Sequence, residues 1–307
     1  MRIVSLLPAA TEIVAALGRA DWLVGVSHEC DYPPEVKSTP RVTRCEIYGK
    51  GISSAQVDAW VSRELASGRP LYTLDADLLR ALEPDVILTQ QLCDVCAIDY
   101  GSVAAFAASL PKRPRIVNLE PSSLAEIFSD IERVAAALGD VDRGKTLVAS
   151  LTQRVDRVRA RAVKPTWRPR CCHLEWIDPL FCSGHWTPEL VEIAGGTDPL
   201  GRKSLPSIRI SWEQIVEARP EILVLACCGY DAERTLQDIE ILKRQSQWET
   251  VPAVLNGRVY AVNGSAYFSR PGPRIVDSLE IMAEIIHPEL FSSGPLTEVI
   301  ARHVATA

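Results

Sequence analysis

The sequence predicts an α/β protein built as two parallel-sheet lobes joined by one long, rigid helix. Three observations carry this. Runs rich in Val, Ile and Leu alternate with 3.6-residue periodicities along the chain, the pattern of strand–helix units whose sheets are mostly parallel. Leu82-Glu-Pro-Asp-Val-Ile-Leu88 and Ala218-Arg-Pro-Glu-Ile-Leu-Val224 repeat one another as a helix end, a proline turn, an acid and a buried β run, one copy in each half. Between the copies, Val141 to Val163 is one unbroken helical pattern.

Each element has its own warrant. Arg2–Leu7 reads as a strand, followed by a helix over Thr11–Leu17 that Gly18 closes. Trp22–Ser27, Asp85–Gln90 and Arg115–Leu119 complete the strands of the first half, with a helical run near Tyr100–Leu110. Ser123-Leu-Ala-Glu126 is a capping box opening a helix that stops at Gly139. In the long helix Leu147, Leu151, Val155 and Val158 share one face, and Lys145, Arg154, Arg157, Arg159 and Arg161 lie away from it. Over 20 residues at 1.5 Å each make about 30 Å, a stiff spacer rather than a Gly/Ser hinge. Arg170–Trp176, Glu221–Cys227 and Arg258–Asn263 are the strands of the second half, and Ser211-Trp-Glu-Gln214 caps a helix between them. The expected division is 1–140, 141–163 and 164–307.

Composition narrows the function classes. The 307 residues are 47% hydrophobic and 23% charged, and the mean hydropathy is +0.05. That balance excludes a disordered, collagen-like or polytopic membrane chain, and no window predicts a membrane span. A net charge of −6 argues against a nucleic-acid partner. Met1-Arg2 leads into an apolar run broken by Pro8 and Glu12, which does not resemble a secretion signal. The expectation is a cytoplasmic protein with reduced cysteines, unless a signal peptide has been removed. Nine cysteines leave at least one outside any set of intramolecular disulfides.

Several motifs bear on chemistry. Gly139-Asp-Val-Asp-Arg-Gly-Lys-Thr146 fits the phosphate-loop pattern, but a helix precedes it where a strand is needed and its aspartates would repel phosphate, so it reads as a chance match. Cys93-Asp-Val-Cys96 follows a predicted strand, and His28, Glu29 and Cys30 follow another, with Cys45 further on. Sites in open α/β sheets form at the carboxyl ends of strands. The cluster is open to three readings: a zinc or iron site, a redox pair, or scattered packing thiols. Cys171-Cys172 and Cys227-Cys228 alternate across their strands, so neither pair supplies two adjacent ligands, and they read as buried hydrophobes apart from Cys228, which ends its strand. Ser183 and His185 lack a nucleophile elbow and read as a binding loop. Tyr267, Phe268 and Arg270 suit a flat, largely apolar ligand.

Arg2-Ile-Val-Ser-Leu-Leu-Pro-Ala-Ala-Thr-Glu12, Val24-Gly-Val-Ser27, Asp31-Tyr-Pro-Pro34 and Leu82–Ile87 resemble the vitamin B12 and iron–siderophore binding proteins of ABC importers. So do Phe181–Gly184, Leu190–Gly196, Ile210–Pro220 and the Pro273-Arg274 helix. The resemblance runs from residue 2 to about 287 and is nearest the cobalamin-binding branch. It implies a ligand held in a cleft between the lobes, with little hinge motion. Carried over by position, the cleft takes Pro8, Ala9, Ala10, Thr11, His28, Glu29, Cys30, Asp31, Tyr32, Gln90, Gln91, Cys93 and Cys96 from the first lobe. The second contributes Ser183, His185, Trp186, Cys228, Tyr230, Tyr267, Phe268 and Arg270. Trp186, Tyr267 and Phe268 are placed to grip a corrin ring, with His28 or a thiolate toward its metal.

The chain departs from that family in three places. Gln90-Gln-Leu-Cys-Asp-Val-Cys96 stands where the cobalamin proteins have an aromatic, Gly-rich loop. Residues 43–74 form an insertion, with a helix presenting Val57, Trp60, Val61 and Leu65 on one face. Family members dock on their transporter through one acid per lobe; Asp77 keeps the first, but Ser269 stands at the second, which weakens the case for ABC-transporter docking. Two functions follow. The first is a non-catalytic binding protein for a cobalamin-like corrinoid or another metal chelate. The alternative is a metal-binding protein or thiol-dependent enzyme using His28, Cys30, Cys93 and Cys96.

Overall fold

A computed structural model of the chain describes residues 1–47, 49–90, 100–163, 165–291 and 301–303. The chain divides into two compact units. The first is Met1–Ile52, Gln56–Pro121 and Ala125–Ser150; the second is Ser53–Ala55, Ser122–Leu124 and Leu151–Ala307.

The strands are β1 (Ile3–Ser5), β2 (Leu23–Val26), β3 (Thr43–Cys45), β4 (Tyr72–Leu74), β5 (Val86–Thr89), β6 (Arg115–Asn118), β7 (Cys171–Trp176), β8 (Phe181–Cys182), β9 (Gly184–His185), β10 (Arg202–Lys203), β11 (Ile222–Leu225), β12 (Val259–Val262) and β13 (Ala301–His303). The α-helices are α1 (Pro8–Ala16), α2 (Ser54–Ala66), α3 (Ala76–Ala81), α4 (Tyr100–Ser109), α5 (Leu124–Leu138), α6 (Val141–Ala162), α7 (Thr187–Ile193), α8 (Trp212–Ala218), α9 (Ala232–Gln237), α10 (Ile239–Lys243), α11 (Pro252–Leu255) and α12 (Ile275–Ile286). No described helix is long and apolar enough to cross a membrane.

In the first unit the sheet order is β2-β1-β5-β6, and every pairing is parallel. Parallel strands covered on both faces read as continuous apolar runs, as Val86–Thr89, buried throughout, does here. Val4, Leu6, Val42, Leu79, Ile87, Val103 and Ala107 form its main core. Gly25 is required on β2, because a Cβ there would come within 2.8 Å of Leu82 and Val42 side-chain atoms. An antiparallel ribbon, β3 with β4, pairs Cys45 with Tyr72 within the 43–74 segment.

In the second unit the sheet order is β13-β12-β11-β7-β8. The three central strands are parallel and the outer two pairings antiparallel. One face packs Cys172, Leu174, Leu223, Leu225 and Val259 against Trp212, Ile215, Leu242 and Trp248. The capping box predicted at Ser211 is formed, with Gln214 returning its side chain to the Ser211 amide at 2.8 Å. On the other face Cys171 meets Met282 of α12 at 4.0 Å. All seven predicted strands are present. The residues that turn Leu151, Val155 and Val158 inward on α6 are those its periodicity assigns to the buried face.

Candidate functional site

The strand order of the first unit makes the loops leaving β2, β1 and β5 neighbours at one sheet edge. Pro8 opens α1 as its first helical residue, where its missing N–H costs nothing. Ala9 and Ala10 are buried beneath it. Thr11 is fully buried, and its hydroxyl oxygen lies 3.1 Å from the Cys30 sulfur, tying the β1 loop to the β2 loop. His28 is half-buried; its amide donates to Thr43 Oγ1 at 3.0 Å, and its Nδ1 lies 2.7 Å from the same oxygen. Its ring packs on Tyr72 at 5.4 Å. Burial, helped by the positive Arg41, pushes its pKa down to about 4, so the imidazole is neutral near pH 7. Glu29 is half-buried, while Asp31 and Tyr32 are exposed, Tyr32 to 44%. Gln90 is buried at the end of β5. Gln91, Cys93 and Cys96 lie outside the described residues.

In the second unit the loops leaving β11 and β12 are joined by the Ser265 amide donating to the Tyr230 carbonyl at 3.0 Å. Tyr230 stacks on Trp176 at 4.8 Å, and the Arg234 guanidinium lies 4.2 Å above its ring. Burial pushes the Tyr230 hydroxyl up to about 12, so it stays protonated. Cys228 is exposed beside it. Tyr267 is half-buried under the Arg274 guanidinium, 5.2 Å from its ring. Arg270 is buried.

Trp186 and Phe268 are buried too, with exposures of 6% and 3%. The Trp186 indole donates to the Phe268 carbonyl at 2.9 Å, and Phe268 packs on His173 at 5.0 Å. Both rings therefore stand behind the loops rather than at their surface. Ser183 is fully buried and donates to Asp198 at 2.6 Å. The same carboxylate accepts from the Leu200 and Gly201 amides at 3.1 and 3.0 Å. Burial nonetheless holds its pKa at about 6. His185 sits in the left-handed region at φ 50°, half-buried beside Trp186, and burial lowers its pKa.

Sequence reasoning missed one loop of this unit. The His185 amide donates to the Leu205 carbonyl at 2.7 Å, which brings Leu205 and Ile208, 50% and 44% exposed, beside it. An unperiodic stretch of mixed apolar and basic residues gave no signal for that placement.

Among the described residues the cysteines do not gather into one site. Cys171, Cys172, Cys182, Cys227 and Cys228 are free thiols. Cys171, Cys172, Cys182 and Cys227 are buried, and burial raises the pKa of each thiol, to about 12 for Cys227. Cys182 is only 1% exposed. Among the described residues no three His, Cys, Asp or Glu side chains are grouped to hold a metal ion.

Residues 3–266 match the family model described as periplasmic binding protein. The chain belongs to this family. A vitamin B12-binding protein of Vibrio cholerae is 24% identical over 284 residues, covering 91% of this chain and 86% of that protein. An ABC transporter substrate-binding lipoprotein of Bacillus subtilis is also 24% identical, covering 94% and 81%. The crystal structure of a periplasmic heme-binding protein from Pseudomonas aeruginosa superposes with a TM-score of 0.71 at 19% identity, covering 96% of each chain.

For this periplasmic binding protein the expected cytoplasmic location is corrected, since the matching family is one of periplasmic binding proteins and a relative is a lipoprotein. The first residue of a sequence does not report the compartment, so the reading from Met1 had no physical hold. The family match supports the binding-protein reading over the thiol-enzyme alternative. As a member of this family the chain is a binding protein and not an enzyme.

Proposed function

We propose that this binding protein carries a corrinoid, or another flat metal chelate of the heme class, against its strand-end loops. The observation that carries the reading is the match to a vitamin B12-binding protein over 91% of the chain. The chemistry of the loops supports it. Tyr32, Tyr230 and Tyr267 each combine an apolar ring with a hydroxyl, which suits a flat macrocycle with a polar rim. His185, Leu205 and Ile208 extend the apolar contact. His28 is neutral near pH 7, the form in which imidazole coordinates cobalt or iron. Trp186, Phe268, Thr11 and Cys30 act as support, since each is buried. Residues 1–140 and 164–307 are taken as the two lobes and 141–163 as their spacer.

Titration with cyanocobalamin and with hemin, followed by visible spectra and calorimetry, tests the proposal. Binding with a Kd of about 10 μM or tighter is expected for one of them, weakened roughly tenfold by Tyr230→Ala. No binding of either at tens of micromolar would overturn it.

Delivery to a membrane permease is a second reading, favoured by the Bacillus subtilis relative. Asp77 on α3 supports it, with a side chain 97% exposed and paired to Arg80 at 2.8 Å. Asp77→Lys is then expected to abolish permease binding and leave ligand affinity unchanged.

A further inference from the structure

The basic side of α6 takes no part in the loops described above. Between positions 154 and 170 the sequence holds six arginines and one lysine against a single acid, Asp156, in a chain of net charge −6. Within the second unit Leu151, Val155, Val158 and Ala162 are buried, and Arg157 and Arg161, one turn apart, are exposed. Some of the charge is already used. Arg154 is held by Asp277 and Glu280 at 2.5 and 2.6 Å, Arg159 by Asp156 at 2.8 Å, and Arg170 by Glu221 at 3.6 Å. Arg157, Arg161 and Arg168 have no carboxylate partner among the described residues. Arg161 lies 6.0 Å from the Phe291 ring, and Arg168 donates to the Glu192 carbonyl at 2.5 Å. The nearby acids are engaged, Glu289 with His287 at 3.1 Å and Glu192 with Lys203.

Apolar surface stands among these cations. Val163 is 69% exposed and Trp167 is 50% exposed. Trp167 is held edge-on against His287 with centroids 6.2 Å apart, and Pro165 and Pro169 restrict the chain on either side. The patch is thus a preset surface rather than a loose tail.

We propose that this patch rests on a bilayer surface containing anionic phospholipid. Unpaired guanidinium groups match lipid phosphates in charge and geometry. An indole with an apolar body and a polar N–H sits at headgroup depth, and long arginine stems let the charge reach outward. Val163 offers nothing to a nucleic-acid backbone but gains from acyl contact. The local field acts within about 8 Å at physiological salt, so the net negative charge elsewhere does not cancel it. The contact is peripheral, and it is independent of which ligand the protein carries.

Sedimentation of the full chain with vesicles tests this. Vesicles of equal parts phosphatidylglycerol and phosphatidylcholine should carry the protein down, and phosphatidylcholine alone should not. Each arginine near such a surface is worth about fivefold in binding, so Arg157→Glu with Arg161→Glu should weaken it by about 30-fold or more. Arg157→Lys with Arg161→Lys should retain it, and Trp167→Ser should weaken it with the charges intact. Circular dichroism checks that each variant is folded, and Arg168→Glu replaces the double variant if that fails to fold. Equal sedimentation with both vesicle types, no sedimentation with either, or wild-type binding by a folded charge-reversed variant would overturn the proposal. So would retention on a DNA duplex without vesicle binding.

Discussion

Replacing His173 with leucine should leave the protein as stable at pH 7.5 and protect it from acid. The side chain is 1% exposed on β7, and neither ring nitrogen has a hydrogen-bond partner among the described residues. Burial pushes its pKa from 6.5 down to about 3. The unfolded chain therefore takes up a proton below about pH 6.5 that the folded chain refuses, so this contribution to stability is intact above that pH and drains away below it. Two pH units at about 1.4 kcal/mol each make the loss about 3 kcal/mol at pH 4.5. His28, with a pKa of about 4, loses in the same direction. Asp130 and Asp198, raised to about 6, oppose it, because their folded forms take up a proton first. Those terms cancel when variant and parent are compared at one pH. Urea unfolding of both proteins at pH 7.5 and 4.5 gives the difference directly. It should shift by about 3 kcal/mol in favour of His173→Leu at the lower pH. At pH 7.5 the two should agree within about 1 kcal/mol, since leucine is of similar size and no hydrogen bond is lost. An unchanged difference at the two pH values would refute the titration argument. A loss above about 3 kcal/mol at pH 7.5 would mean that the imidazole makes an essential bond.

Two further outcomes follow from packing. Gly184→Ala should cost at least about 2 kcal/mol in urea unfolding, because its Cβ would lie 2.4 Å from the Ser207 nitrogen and 2.8 Å from the Leu205 oxygen, both backbone atoms. A maleimide reagent should label Cys228 in the folded protein and reach Cys171, Cys172, Cys182 and Cys227 only after unfolding; peptide mass spectrometry locates the label.

The seven predicted strands were legible because parallel strands are covered on both faces and so carry contiguous β-branched and aliphatic residues. The long helix was legible for the complementary reason, a 3.6-residue apolar stripe. Two-residue strands such as β9 and β10 leave no period to detect. Their pairing rests on Gly184 fitting where no side chain can. The helix at 54–66 was foreseen, but not its polarity. Leu65 is 42% exposed, whereas Glu64 is buried and held by Arg69 at 2.5 Å and Arg63 at 3.0 Å. An ion pair formed across a turn overrides hydrophobic ranking, and only coordinates reveal it. At the candidate site, sequence assigned residues to strand-end loops and could not orient their side chains. Trp186 and Phe268 read as ligand contacts because they are aromatic and stand in loops that the resemblance assigns to the cleft, yet the indole N–H finds its acceptor in the Phe268 backbone.

The wholly parallel sheet of the first unit has an evolutionary consequence. Its strands hold their register through backbone ladders and apolar contacts from Ile3 to Asn118. The loop side chains at its carboxyl edge take no part in those ladders. Exposed positions there, such as Asp31 and Tyr32, can therefore drift at little folding cost, whereas the buried Thr11 and Cys30 that tie two loops together cannot. A scaffold built this way can keep its sheet while a relative falls to 24% identity.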